Sequence, residues 1–84
     1  MHYVYVLRSK VDGLLYTGCT GDLRKRFKQH NIGKVPATRH RVPLELIYYE
    51  ACLSADDAFR REKYLKTTYG KYYLKSRLRC YFTG

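Results

Sequence analysis

Val11-Asp12-Gly13 places a turn signal between two short tyrosine-bearing strings, Tyr3-Val4-Tyr5 and Tyr16-Thr17-Gly18. β-Formers on both sides of an Asp-Gly turn fold the chain back as a hairpin, which sets Tyr5 and Tyr16 side by side. A basic stretch, Asp22 to His30, follows at once, so the next element supplies an arginine and a histidine. Phenols, a guanidinium and an imidazole in one place are the parts for handling phosphate esters.

With 84 residues, the chain reads as one domain over 1–84, with a single core and no room for a separate recognition domain. Against 7 Asp and Glu stand 17 Lys and Arg, a formal charge of +10. Polyanions are therefore the first partners to consider. No apolar stretch is long enough to cross a bilayer and no secretory signal opens the chain, so no membrane is expected. Cys19, Cys52 and Cys80 are odd in number and lack a C-x-x-C pair, which fits reduced thiols in a cytoplasmic protein. Their spacing to His30 and His40 matches no common zinc pattern.

The elements follow from local signals. Tyr3 to Ser9 and Leu14 to Cys19 read as the hairpin strands. Asp22 caps a first helix over Leu23 to Asn31, with Gly33 as its stop. Lys34 to Pro43, with two prolines and Arg39-His40-Arg41, reads as a cationic loop. Leu44 to Ala51 is a third strand, partly buried on both faces. Ser54 and Asp57 form a capping box for a second helix, Ala55 to Thr67. Gly70 separates it from a third, Lys71 to Tyr81, with Lys71, Lys75 and Arg79 on one side. The expected class is α+β, a small three-stranded antiparallel sheet flanked by three helices.

Three polar residues fall on apolar stripes. Arg26 and His30 share the face of Leu23 and Phe27, and Glu62 is the one acid among Ala58, Phe59 and Leu65. A lone charge facing a core costs several kcal/mol or more unless it is paired, metal-bound or at the wall of a cleft. An internal Arg26–Glu62 salt bridge, or side chains reaching past the rim, is the plain structural explanation. Placement beside two phenols favours a site. Tyr48, Tyr49, Tyr64, Tyr72, Tyr73 and Tyr81 read as core or rim residues.

Tyr3-Val4-Tyr5, Tyr16-Thr17-Gly18, the helix from Asp22 to His30 and the helix from Ala58 to Lys66 together resemble, in order, a GIY-YIG nuclease domain of the compact stand-alone type. The likeness runs from Tyr3 to about Leu78. It implies that Tyr5 and Tyr16 are the site tyrosines and Arg26 the catalytic arginine. His30 would be a supporting active-site residue, and Glu62 the sole protein ligand of a divalent metal, Mg²⁺ or Mn²⁺. The implied reaction is hydrolysis of a phosphodiester strand. One phenol, its pKa lowered by Arg26, Lys25 or metal-bound water, would act as general base. Tyr3 stands where the family's first string has glycine, and Thr17 holds the middle of the second. The asparagine that many members carry after the metal helix has no counterpart, since the only amide side chains are Gln29 and Asn31.

These readings converge on a metal-dependent DNA endonuclease of low sequence specificity, acting in repair or recombination near the nucleoid. Lys25, Lys34, Arg39, His40, Arg41, Lys71 and Lys75 are its expected nucleic-acid contacts, with DNA ahead of RNA and no obligate protein partner. The rivals are a non-catalytic nucleic-acid-binding module on the same scaffold and a basic protein–protein adaptor.

Overall fold

A computed structural model describes residues 1–84. The chain runs β1 (His2–Ser9), β2 (Leu15–Thr20), α1 (Leu23–Asn31), β3 (Leu44–Cys52), α2 (Ala55–Leu65), α3 (Thr68–Arg77) and α4 (Arg79–Thr83). The sheet order is β2-β1-β3, both pairings antiparallel, which leaves β2 and β3 as edges. No helix is long and apolar enough to cross a membrane.

The hairpin turn is held by side chains. Gly13 takes φ +71°, a left-handed conformation that glycine adopts without strain. Asp12 Oδ1 accepts from the Leu14 N–H, and Ser9 Oγ accepts from Val11 and Asp12 while donating to the Arg41 carbonyl. The central strand β1 is buried on both faces. Val4 and Val6 pack with Ala58, Leu65 and Leu74 beneath α2 and α3. Tyr5 and Leu7 turn the other way, onto Leu44, Leu23 and Phe27 beside α1. In the β1–β3 ladder Val6 pairs with Tyr48 and Leu7 with Leu46, so Ile47 is the extra residue of a bulge.

The caps expected at Asp22 and Ser54 form, accepting from Lys25 N and Asp57 N. The sheet and the α+β class match expectation, and the helix count is corrected from three to four. The final segment breaks at Leu78 (φ −107°, ψ 28°) into α3 and α4. Gly70 does not separate helices: it lies inside α3, where a Cβ would run into the Tyr64 carbonyl and Leu65 Cα. Thr67 makes the break instead, its hydroxyl capping the Gly70 N–H.

The segment from Lys34 to Pro43 carries no helix or strand, yet it is anchored. Val35 and Thr38 are buried, and Asn31 clamps the Leu44 backbone through both its amide atoms. On the opposite face Glu50 joins the sheet to the helices. It takes paired hydrogen bonds from Arg61 at 2.9 and 3.0 Å and one from Tyr48 at 2.7 Å. The Arg61 guanidinium stacks 4.6 Å from the Tyr73 ring centroid.

Candidate active site

Gly18 is the pivot of the site. It pairs with Tyr5 across the β1–β2 ladder, and a Cβ there would come within 2.5 Å of the Tyr5 ring and hydroxyl. With no side chain in the way, the Tyr5 phenol crosses over β2 toward α1. Its hydroxyl lies 2.8 Å from His30 Nε2, and His30 Nδ1 lies 2.7 Å from Thr38 Oγ1. The His30 ring also packs edge-on against Tyr16, centroids 5.1 Å apart.

A hollow of about 550 Å³ opens at the free edge of β2. Tyr5, Tyr16, Arg26 and Glu62 line it, with Phe59 and Asp56 on the α2 side. Arg26 arrives from α1 on one face of the sheet and Glu62 from α2 on the other, so the hollow wraps the strand edge. His30 is not on its surface. The imidazole is fully buried behind both phenols, hydrogen-bonded to Tyr5 and packed edge-on against Tyr16.

Burial and the Arg26 charge pull the His30 pKa down to about 4, so the imidazole is neutral near pH 7. Tyr5 departs from the expectation of a phenol made more acidic by Arg26. Burial raises its pKa, outweighing the Arg26 hydrogen bond and charge, and it keeps its proton. The Cys19 thiol, also on the hollow, is pushed up by burial and by Glu62, which makes it a poor nucleophile.

An Arg26–Glu62 salt bridge does not form. Arg26 Nη1 points at Gln29 Oε1, 3.5 Å away, and Glu62 Oε2 is held by Lys66 Nζ at 3.0 Å. Glu62 Oε1 makes no hydrogen bond within the protein. No cluster of three His, Cys, Asp or Glu side chains could enclose a metal. The residues present fit one hard cation bound through a single carboxylate and otherwise by water, provided the solvent-exposed Lys66 amine moves aside.

A scan against protein families matches residues 1–78 to the GIY-YIG catalytic domain. This chain belongs to the GIY-YIG family. Its curated relatives include a UPF0213 protein of Streptococcus pyogenes serotype M3, 47% identical over 68 residues and covering 73% of each chain. A UPF0213 protein of Bacillus pumilus is 46% identical over 67 residues, covering 79% of this chain and 67% of the relative. Among solved structures, the solution NMR structure of a UPF0213 protein from Bacillus halodurans superposes with TM-score 0.56. It is 41% identical and covers 89% of this chain and 82% of that one. GIY-YIG membership makes the fold that of a nuclease, a hydrolase class whose substrates are nucleic acids and whose chemistry generally uses a divalent metal. The UPF0213 names themselves carry no activity, metal or specificity.

The other residues singled out in the sequence are scattered. Lys25 is exposed on α1, and Lys34, Arg39 and His40 are exposed on the anchored loop, where Arg39 Nε donates to His40 Nε2. Arg41 is tied down, its guanidinium on Asp12 Oδ2 at 3.0 Å and on the Leu14 carbonyl. Lys71 and Lys75 share a hollow on α3. Three residues near the site were not singled out: Thr38, Phe59 and Lys66. The i, i+4 spacing of Lys66 to Glu62 was a legible signal; Thr38 left none.

Proposed function

We propose that this protein is a Mg²⁺- or Mn²⁺-dependent endonuclease that hydrolyses DNA phosphodiesters with low sequence specificity, structure-directed in repair or recombination. One observation carries the reading: Tyr5, Tyr16, Arg26 and Glu62, from four different elements, line one open hollow. Glu62 would hold the cation, which when bound supplies a Lewis acid for a phosphate oxygen. Thr38 donates to His30 Nδ1, His30 Nε2–H donates to Tyr5 Oη, and the Tyr5 hydroxyl is left to donate to the scissile phosphate. Tyr16, the more open phenol, would serve as base once ionised: its own proton goes to solvent, its phenolate Oη then takes the proton of the attacking water, and the departing sugar oxygen is protonated from solvent as the phosphorus–oxygen bond breaks. Arg26 stabilises the charge that gathers on the phosphate. Lys25, Lys34, Arg39 and His40 hold flanking phosphates. Arg41 is the weakest of the expected contacts, because leaving Asp12 costs it an ion pair.

Free thiols at all three cysteines suit the reducing cytoplasm, near the nucleoid, where such a substrate is found. The test is nicking of supercoiled plasmid with Mg²⁺ or Mn²⁺, against RNA of matched sequence, for the wild type, Glu62→Ala and Arg26→Ala. Cleavage by the wild type alone supports the reading. The Lys66 amine seated on Glu62 favours a second reading, a nucleic-acid-binding module without turnover. Salt-sensitive binding without metal-dependent nicking would establish that one instead.

A further inference from the structure

The catalytic hollow does not end at Tyr16. The same side chain lines a second hollow of about 330 Å³ with Thr17, Lys66 and Lys71. That hollow shares Leu15, Lys71 and Leu74 with a third of about 460 Å³, which reaches Leu14 at the hairpin turn, Lys75 and Phe82. The three hollows adjoin through these shared side chains and together mark a furrow along β2, beside α3. The part beyond Tyr16 is lined by three lysines and by no aspartate or glutamate. Lys66 stands at the junction, its amine on Glu62 Oε2.

We propose that this furrow is a binding track for a single-stranded nucleic-acid tail, leading away from the scissile phosphate toward the hairpin turn. The inference deepens the nucleic-acid reading of the site and rests on it. A row of cations beside aromatic and aliphatic surface is what a sequence-tolerant single-strand site requires: ammonium groups for the phosphates, π-faces for the bases. Lys71 and Lys75 are one helical turn apart on α3 and point the same way. Tyr16 and Phe82 bracket the track with aromatic rings. Lys66, once a cation or substrate claims Glu62, is the nearest amine to the first phosphate past the cut. The substrate so described is a duplex with an unpaired flank, not a continuous duplex.

The test is fluorescence anisotropy in EDTA, so that no cleavage occurs, across a salt series. The probes are a blunt DNA duplex and the same duplex with a tail of about six nucleotides on either end, within the ~4–16 that one small single-strand-binding fold covers. The wild type is expected to bind one tailed duplex at least several-fold more tightly than the blunt one. Lys71→Glu/Lys75→Glu should abolish that advantage and flatten the log–log salt slope for the tailed probe by roughly 1.4, about 0.7 for each phosphate that is no longer neutralised. Arg24→Glu/Lys28→Glu removes the same charge from exposed positions on α1 and should leave the tail advantage in place. Phe82→Ala should lower tail affinity at constant salt slope, since its ring carries no charge. No tail advantage in the wild type, or equal weakening by both charge-reversed pairs, overturns the proposal. The readout is independent of turnover: nicking without a tail advantage rejects the track and keeps the nuclease, and the reverse result does the opposite.

Discussion

Tyr5 Oη and His30 Nε2 stand 2.8 Å apart at the buried back wall of the hollow, and the second imidazole nitrogen is taken by Thr38. The site's inner wall is thus a closed chain of three polar groups with no buried side-chain polar atom left unpaired. Removing one member strands the next. Tyr5→Phe leaves His30 Nε2 without a partner, and Thr38→Val does the same to Nδ1. Each is expected to cost about 1–3 kcal/mol in urea unfolding. Tyr5→Phe should also slow cleavage, while Thr38→Val, a change at a side chain that does not itself line the hollow, should act chiefly through stability. Unchanged unfolding midpoints in both variants would show that the chain of hydrogen bonds is not formed in solution.

The depressed pKa of His30 gives stability a defined pH dependence. In the unfolded chain the imidazole titrates near 6.5, and in the fold at about 4. Between those values the unfolded state binds more protons, so stability falls as pH drops from about 6.5 toward 4 and the loss is complete below the folded value. His30→Gln should flatten that part of the profile. An NMR titration that found the His30 ring protonating near 6.5 would contradict the assignment.

Gly18→Ala tests the crossing of the phenol. An added methyl would meet the Tyr5 ring at 2.5 Å, inside contact distance, and must displace it. Overpacking of this kind costs about 1–3 kcal/mol. Turnover should fall with stability, because the displaced ring takes the Tyr5 hydroxyl from both His30 and the hollow. In a double-mutant cycle with Tyr5→Ala the two changes should be strongly non-additive, since removing the ring removes the clash. Additive effects would mean the glycine acts through the backbone alone.

Much of this arrangement was legible because its signals are local. Asp-Gly fixed the hairpin, the side-chain caps at Asp22 and Ser54 started α1 and α2, and helical spacing brought Arg26 and Glu62 to the sheet. Longer-range outcomes were not legible. Arg26 and Glu62 share the hollow without pairing, because Gln29 and Lys66, each within one turn, reach them first. The fate of Gly70 is set by contact with the end of α2, which no window around Gly70 reports. Composition alone makes the segment from Lys34 to Pro43 a cationic loop and says nothing of its anchoring. Burial of Val35 and Thr38 depends on β1, β3 and α1 having already met.

Two carboxylates joined to basic partners are expected to respond in opposite ways. Glu50 is buried enough for desolvation to raise its pKa, yet hydrogen bonds from Arg61 and Tyr48 more than offset this and hold it low. Its work is structural, tying β3 to α2. Arg61→Ala should cost about 1.5–3 kcal/mol, the range for hydrogen bonds to a charged group, and leave cleavage per folded molecule unchanged. Glu62 has only the exposed Lys66 amine to hold it, and exposed i, i+4 pairs contribute about 0.3–0.5 kcal/mol. Glu62→Gln should therefore barely move the unfolding midpoint while reducing metal-dependent nicking at least as much as loss of a general base, about 10²–10⁴-fold. Lys66→Met frees Glu62 and should tighten Mn²⁺ binding in a competition titration while preserving the fold. If Arg61→Ala silenced cleavage in a fully folded protein and Glu62→Gln did not, the catalytic carboxylate would lie on β3 and the hollow at the β2 edge would not be the active site.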